Sequence, residues 1–369
     1  MELNKNQESF FALVRAGLWE QNVRLSQYGK IDFAEVCRLA EEQSVVGLVA
    51  AGLEHVADVK MPQMMALQLA GQTMQIEQRN KEMNLFIADL IAKMQNADIY
   101  VLLVKGQGVA QCYEKPLWRS SGDIDLFLDS KNYVKAQKFL SPNSQNKEES
   151  PNDIMHTEMT INGWIVELHG TMRTQLGHKI DIVVDKVQEN TFTGHRVRTW
   201  RNERVDVMLP CPDDDIVFVF THFLQHLFIG GCGLRQICDW CRLLWTYRGT
   251  LDVALLEKRL KKAELMSEWK AFGALAVIYL GMPEETMPLY SSAKKWHRKA
   301  DKIFHSILMM GNMGHNRDMS YRQTDSGVLR KLKTFHIITK DACRLAAIFP
   351  MDSVRVWWIL NVREIKKHV

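Results

Sequence analysis

The stretch from Val101 to Asp129, VLLVKGQGVAQCYEKPLWRSSGDIDLFLD, constrains the fold of this chain more than any other segment. It predicts an apolar strand that ends at Lys105-Gly106, a short helix, a basic loop with neighbouring serines, and a second strand. That second strand carries Asp123 and Asp125, and carboxylates at positions i and i+2 of a strand point to the same face of a sheet. Because like charges this close repel each other, the pair predicts a divalent cation, and oxygen ligands favour Mg²⁺ or Mn²⁺.

The composition limits the class of protein. The chain has 369 residues, of which 46% are hydrophobic, enough for one large domain or two domains with a substantial core. Seven scattered cysteines favour reduced thiols over a secreted disulfide framework. The N-terminal segment lacks a signal-peptide pattern, and no apolar run reaches the roughly 18 residues of a membrane helix. We therefore expect a cytoplasmic protein without a membrane span, and a net charge of +4 does not by itself indicate a nucleic-acid partner.

The periodicity of apolar residues divides the chain into three regions. Residues 1–96 have helical spacing, residues 97–210 combine strands with helices, and residues 211–369 are again helical. We therefore predict a mixed α+β fold, in which a small sheet core is flanked by an N-terminal and a C-terminal helical region.

Local patterns give further detail inside the central region. The dipeptide Asn162-Gly163 between two strand-like segments predicts a hairpin over residues 156–169. Glu167 lies between apolar neighbours on the second strand of this hairpin. A carboxylate is unusual between apolar residues, so this position indicates a functional role. Val183-Val184 predicts another short strand, and residues 141–153 predict a polar loop.

Three acidic residues are the candidate catalytic and metal-binding group. We expect Asp123 and Asp125 to share one face of a strand and Glu167 to come from a neighbouring strand. Together they can hold one or two Mg²⁺ ions, which bind nucleotide phosphates, activate an attacking oxygen and neutralise a leaving group. This arrangement predicts phosphoryl or nucleotidyl transfer.

Transfer of a phosphate group also requires cationic side chains and N–H donors around the ligand. A lysine-glycine pair at the start of a helix and an Arg-Ser-Ser run just before the acidic strand supply these groups. The predicted phosphate-binding residues of this stretch are Lys105, Gly106, Arg119, Ser120 and Ser121.

Three segments resemble a bacterial family of uncharacterised nucleotidyltransferases, within the superfamily similar to DNA polymerase β. They are LLVKGQGVAQCYEKPLWRSSGDIDLFL, VELHG and THFLQHLFIGGCGLRQICDW, which run from about residue 103 to 240. The resemblance implies a small polymerase-β-like sheet core and a nucleoside triphosphate, such as ATP, as the donor. It implies transfer of a nucleoside monophosphate to an acceptor with release of pyrophosphate. It also implies Mg²⁺ or Mn²⁺ on Asp123, Asp125 and Glu167, with Glu167 as the candidate to activate the acceptor hydroxyl.

The chain departs from the superfamily pattern near the predicted phosphate site. Gly106 is followed by Gln107 instead of the usual serine, and the chain from Gly106 to Asp123 is longer than in the minimal enzymes. The resemblance therefore implies the metal ligands residue by residue. The triphosphate contacts are predicted instead from the cationic residues of this chain.

The third matching segment predicts a contribution from the C-terminal helical region. His222, Arg235 and Asp239 are expected either to line the nucleotide cleft or to brace it. A zinc site is the alternative, because His222 and His226 are spaced i and i+4 and a C-x-x-C pair follows at Cys238 and Cys241. Two cysteines on an apolar helix are, however, more commonly part of a core.

Two other functions remain open from the sequence. One is a catalytically silent relative that binds nucleotide or acts as a scaffold. The other is an RNA-directed nucleotidyltransferase, because basic residues and tryptophans are interleaved in the C-terminal region. The acceptor is a small molecule, a protein or an RNA.

Overall fold

Apolar residues at helical spacing form helices on both sides of a small sheet. The computed structural model describes residues 3–149, 155–174, 176–312, 316 and 327–366. The helices among them are α1 Lys5–Trp19, α2 Phe33–Glu42, α3 Val46–Leu53, α4 Gln63–Asn96, α5 Gly106–Ala110, α6 Ser130–Leu140, α7 His178–Thr193, α8 Pro212–Ile229, α9 Leu234–Tyr247, α10 Val253–Ala263, α11 Met266–Ile278, α12 Lys294–Met310, α13 Gly327–Ala346 and α14 Pro350–Lys366. Within this described part of the chain, no helix combines the length and the apolar character needed to cross a bilayer.

The strands form one mixed sheet and one separate hairpin. They are β1 Leu102–Val104, β2 Asp123–Phe127, β3 Lys147–Glu149, β4 His156–Ile161, β5 Trp164–His169, β6 Val197–Asn202 and β7 Val205–Pro210. The five-stranded sheet has the order β1-β2-β5-β4-β3, and β6 pairs with β7. Strands β2 and β5 are parallel, and the other neighbouring strands are antiparallel. The predicted α+β fold is confirmed, and the small mixed sheet with added helices is consistent with a polymerase-β-like core.

The two faces of the sheet have different roles. One face is apolar, because Ile124 and Leu126 of β2 and Val166 and Leu168 of β5 pack in one core cluster with residues of α4 such as Met83. The other face carries the acidic residues of β2 and β5 and looks toward α8 and α9, which line the same cavity. The alternation of side chains along a strand is what separates the core from the candidate site.

Two local predictions are corrected by the structure. Val183-Val184 lies inside α7 rather than in a strand, because the buried residues Ile180, Val183, Val184, Val187 and Thr191 follow the spacing of one helix face. The predicted loop 141–153 contains a short 3₁₀ helix, Ser141–Asn143, and the edge strand β3, while residues 150–153 lie outside the described residues. The division into regions 1–96, 97–210 and 211–369 stays a prediction.

Close packing of α1 against α3 depends on a glycine. A Cβ atom placed on Gly52 of α3 would lie 2.0 Å from the backbone oxygen of Leu13 in α1. We expect Gly52→Ala to lower the free energy of unfolding by about 1–3 kcal/mol, because the two backbones must separate. Urea-induced unfolding measures this loss.

Gly71 provides the matched control, since it lies in α4 with nothing within 4 Å of an added Cβ. Gly71→Ala should stabilise the chain by about 0.5–1 kcal/mol through helix propensity. Equal effects of the two substitutions would contradict the role of close packing at Gly52.

A buried carboxyl pair makes the stability of the C-terminal half depend on pH. Burial and the neighbouring Asp352 carboxyl of α14 raise the pKa of Glu268 in α11 from 4.5 to about 8, against the opposing effect of Lys299. A raised folded-state pKa stabilises the fold below the ordinary pKa of the carboxyl, and this contribution is lost as the pH rises through about 8. The stability of Glu268→Gln, which stays neutral, relative to the wild type should therefore increase by roughly 4 kcal/mol as the pH rises from about 5 to about 9.

Urea unfolding across this pH range tests the expected gain. Glu257→Gln on the neighbouring helix α10 is the control, because its carboxylate is exposed and pairs with Lys261. A constant difference between Glu268→Gln and the wild type at all pH values would show that Glu268 does not hold a proton in the fold.

Candidate functional site

The register of two parallel strands brings the three predicted carboxylates to one face of the sheet. Asp125 of β2 and Glu167 of β5 are direct Cα partners, and Asp123 lies two residues earlier on the same face. The Asp125 carboxylate, burial and Glu167 raise the pKa of Asp123, and Lys105 and Arg235 only partly counter them. The face therefore concentrates negative charge that is incompletely neutralised.

Two basic side chains contact the most buried of these carboxylates. Asp125 is 2% exposed, and its Oδ1 atom lies 2.5 Å from Lys105 Nζ and 2.8 Å from His169 Nε2. Burial disfavours the charged forms of Lys105 and His169, but the carboxylates raise the pKa of both groups above the usual values. Lys105 thus places a positive charge beside Asp125, where the sequence predicts a bound metal cation.

Two histidines contact the third carboxylate. His156 Nε2 and His169 Nε2 each lie 3.3 Å from Glu167 Oε2. Burial opposes ionisation of Glu167, but hydrogen bonds from these histidines keep its pKa well below the usual range. Among the described residues, His156, Glu167 and His169 are the group of His, Cys, Asp or Glu side chains positioned to hold a metal ion.

Neither histidine was among the residues predicted from the sequence for this site. The Asn162-Gly163 turn, in which both residues have positive φ, is a sequence signal that could have identified them. A two-residue turn fixes the hairpin register and so pairs His156 with His169 directly across the two strands. Applying that register to the sequence would have placed both imidazoles on the face of Glu167.

Helix α8 closes the site with two neutral imidazoles. His222 Nε2 lies 3.1 Å from Lys105 Nζ, and the rings of His222 and His226 contact each other. Burial and the nearby Lys105 charge hold the pKa of His222 far below its usual value and lower the pKa of His226 to about 4. His222 therefore positions the Lys105 ammonium without adding charge to the site.

A buried ion pair connects the basic loop to α9. Arg119 donates to both carboxylate oxygens of Asp239, from Nε at 2.8 Å and from Nη2 at 2.6 Å, and Tyr113 donates its hydroxyl at 2.8 Å. Arg119 also donates to Ser121 Oγ and to the carbonyl of Ser120. Arg119 and Asp239 thus brace the cleft, and direct contact of either with a nucleotide stays a prediction.

Arg235, unlike Arg119, has a buried N–H group that donates no hydrogen bond to the described residues. Its Nη1 donates to the Ser120 carbonyl at 2.9 Å, whereas its buried Nε has no hydrogen-bond partner in the described part of the chain. Burial and the neighbouring Arg119 lower the pKa of Arg235, which reflects a cation short of compensating charge. An anionic ligand would supply that charge.

Gln107, which stands in place of the superfamily's serine, fastens the loop to α4. Its Nε2 donates to Asn80 Oδ1 at 2.7 Å and to Ser121 Oγ at 3.2 Å. Asn80 in turn donates to the carbonyls of Leu117 and Arg119. Ser121 is therefore already engaged by Gln107 and Arg119, so its predicted phosphate contact would require a rearrangement.

The site opens into a cavity of about 130 Å³. Most of the predicted site residues line it, namely Lys105, Gly106, Arg119, Asp123, Asp125, Glu167, His222, Arg235 and Asp239. Ser120 instead lines an adjoining pocket that shares Arg119 and Arg235 with this cavity. The structure therefore brings most of the predicted site residues together at one cavity, while their roles and the ligand stay predictions.

The zinc alternative finds no support in the described residues. Cys238 and Cys241 are fully buried in the main core cluster, and burial raises the pKa of both thiols well above the usual range. Neither cysteine belongs to the group of described side chains that is positioned to hold a metal ion, which is His156, Glu167 and His169. The apolar surroundings explain the C-x-x-C spacing as helix packing.

Comparison with protein families identifies a match over most of the chain. A family model described as uncharacterised nucleotidyltransferase matches residues 29–281, which include every residue that lines the cavity. No curated protein and no solved structure matches the chain.

Proposed function

The chain belongs to the family of uncharacterised nucleotidyltransferases, and we propose that it moves a nucleoside monophosphate from a nucleoside triphosphate to an acceptor hydroxyl, with release of pyrophosphate. The observation that carries this proposal is the alignment of Asp123, Asp125 and Glu167 on one face of two parallel strands at a cavity. Carboxylates on adjacent strands form a rigid oxygen-ligand set, which suits phosphoryl chemistry.

The charge distribution of the site fits a divalent cation. The Asp125 carboxylate, burial and Glu167 raise the pKa of Asp123, and Lys105 and Arg235 counter this only in part, so negative charge is left for a cation. We propose that Asp123, Asp125 and Glu167 hold Mg²⁺ or Mn²⁺. When bound, such a metal neutralises phosphate charge and polarises the transferring phosphoryl group.

The cationic side chains of the cavity are proposed to bind the triphosphate. Lys105 lies between Asp125 and His222, and it becomes available to a phosphate oxygen once the carboxylate has another counter-charge. Arg235 brings an unpartnered, buried Nε to the same cavity. Together they bind and orient the donor, while Arg119 and Asp239 hold the wall in place.

Glu167 is the proposed acceptor of the hydroxyl proton. Its side chain is 19% exposed, compared with 3% for Asp125, so an acceptor molecule reaches it more easily. For this role the hydroxyl group must replace one of the two histidine contacts to Glu167 Oε2, which also removes one of the hydrogen bonds that keep the pKa of Glu167 low.

Incubation with all four α-labelled triphosphates, Mg²⁺ or Mn²⁺ and a cell extract tests the proposal. We expect metal-dependent label on one class of acceptor, and separation of proteins, RNA and small molecules identifies that class. Nucleotide binding without pyrophosphate release from any mixture would instead indicate a catalytically silent relative. Label on RNA together with strongly salt-dependent RNA binding would identify an RNA-directed enzyme.

A further inference from the structure

We propose that His156, Glu167 and His169 form a second metal site, which takes a divalent transition-metal ion and binds Zn²⁺ more tightly than Mn²⁺ and Mn²⁺ more tightly than Mg²⁺. This site shares Glu167 with the Mg²⁺ or Mn²⁺ site proposed on Asp123, Asp125 and Glu167, but its other two ligands are imidazole nitrogens. Its occupancy requires neither a nucleotide nor the transfer reaction.

The distances within the cluster already approach those of a coordination shell. Glu167 Oε2 lies 3.3 Å from the Nε2 atom of each histidine, and the three ligand atoms lie within 4.8 Å of one another. Bonds of about 2.0–2.2 Å to a tetrahedral ion place neighbouring ligand atoms roughly 3.4 Å apart. Two of the three separations therefore match, and the approach of one imidazole toward the other completes the set.

The backbone holds the three ligands without help from a loop. Glu167 and His169 are two residues apart on β5, and His156 is the direct cross-strand partner of His169 on β4. A single hairpin with a two-residue turn thus carries the whole cluster. Ligands on paired strands are positioned more accurately than ligands on loops.

The chemistry of the ligands decides which ion they select. Two imidazoles and one carboxylate suit Zn²⁺ and other transition metals, and protein ligands bind Zn²⁺ more tightly than Mn²⁺. Mg²⁺ prefers oxygen ligands, which the carboxylates of Asp123 and Asp125 supply and the histidines do not. The two neighbouring clusters would therefore sort different ions.

The site is accessible, and it is connected to the acidic pair by one atom. The side chains of His156, Glu167 and His169 are 28%, 19% and 16% exposed, so an ion can enter. The same His169 Nε2 atom also contacts Asp125 Oδ1 at 2.8 Å. An ion bound to His169 would break that contact and leave Asp125 with Lys105 as its remaining cationic partner.

Titration of the untagged, metal-free chain with Zn²⁺, Mn²⁺ and Mg²⁺ by calorimetry tests the affinity order. Electron–nuclear double resonance of bound Mn²⁺ tests the ligands, because strong coupling to ¹⁴N shows that a nitrogen atom is bound to the ion. We expect nitrogen coupling in the wild type and an affinity for Zn²⁺ that falls at least about tenfold in His156→Ala. The control is His178→Ala, which removes an exposed histidine of α7 outside the cluster.

Tighter binding of Mg²⁺ than of Zn²⁺, absence of nitrogen coupling in the wild type, or equal Zn²⁺ affinity of wild type and a folded His156→Ala would each overturn this site. If His156→Ala fails to fold, His156→Gln offers a second variant. In the wild type, coupling to two nitrogen atoms supports the cluster, whereas coupling to one indicates an ion at the acidic site that takes His169 alone and overturns the cluster. A chain that shows nitrogen coupling but transfers no label keeps this metal site and loses the proposed function. A chain that transfers label but shows no nitrogen coupling keeps the proposed function and loses this metal site.

Discussion

Asp125→Asn should reduce nucleotidyl transfer by at least about 10³-fold while the chain stays folded. The substitution keeps the shape of the side chain and removes the charge that lies between Lys105 Nζ and His169 Nε2. A cation that depends on the paired carboxylates loses a ligand in this variant. The two basic groups keep Glu167 and Asp123 as nearby counter-charges, so we expect a change in the free energy of unfolding below about 2 kcal/mol.

Label transfer from α-labelled triphosphate and urea unfolding, measured on the same preparation, check this expectation. The matched control is Asp206→Asn, which removes an exposed aspartate that pairs with Arg201 on the β6-β7 hairpin. Wild-type transfer by a folded Asp125→Asn protein would remove Asp125 from the catalytic group and with it the main support for the acidic site.

Arg119→Ala should lower the free energy of unfolding by about 3–5 kcal/mol. Arg119 and Asp239 have side chains only 7% and 8% exposed, and the arginine donates to both carboxylate oxygens. Truncation of the arginine leaves the Asp239 carboxylate buried with Tyr113 as its remaining described hydrogen-bond donor. The loss therefore reflects an uncompensated buried charge as well as missing hydrogen bonds.

Arg173→Ala is the control for this second prediction, because Arg173 donates to both oxygens of Asp185 in the same way on the surface. The two side chains of that pair are 52% and 39% exposed, and its removal should cost less than about 1 kcal/mol. Similar small losses in both variants, measured by urea unfolding, would show that burial does not strengthen the Arg119-Asp239 connection.

Much of the fold was predictable because its signals are local. The alternation in β2 put Asp123 and Asp125 on one face, and the Asn162-Gly163 turn set the register of the β4-β5 hairpin. Val183-Val184 misled the prediction, because a short β-branched run satisfies both a buried strand and one face of α7. A few residues are too short to distinguish the two-residue period of a strand from the 3.6-residue period of a helix. The pattern of buried residues along the whole of α7 does distinguish them.

The candidate site was predictable in part. The acidic residues and Lys105 lie in the sequence segments that resemble the nucleotidyltransferase family. The family match over residues 29–281 agrees with that resemblance. His156 was missed because its importance depends on pairing with His169 across the hairpin. The roles of Arg119 and Asp239 also required the structure, since 120 residues separate them along the chain.

The sequence by itself determined the elements with short-range causes: the acidic strand, the Lys105-Gly106 turn, the hairpin and the helical character of both flanks. Only the tertiary structure decided which strands are neighbours, so that Asp125 meets Glu167, and which helices face the acidic surface. The physical reason is that alternation and turn chemistry act over a few residues. Ion pairing, burial and the resulting pKa shifts depend on groups that only the folded chain brings together.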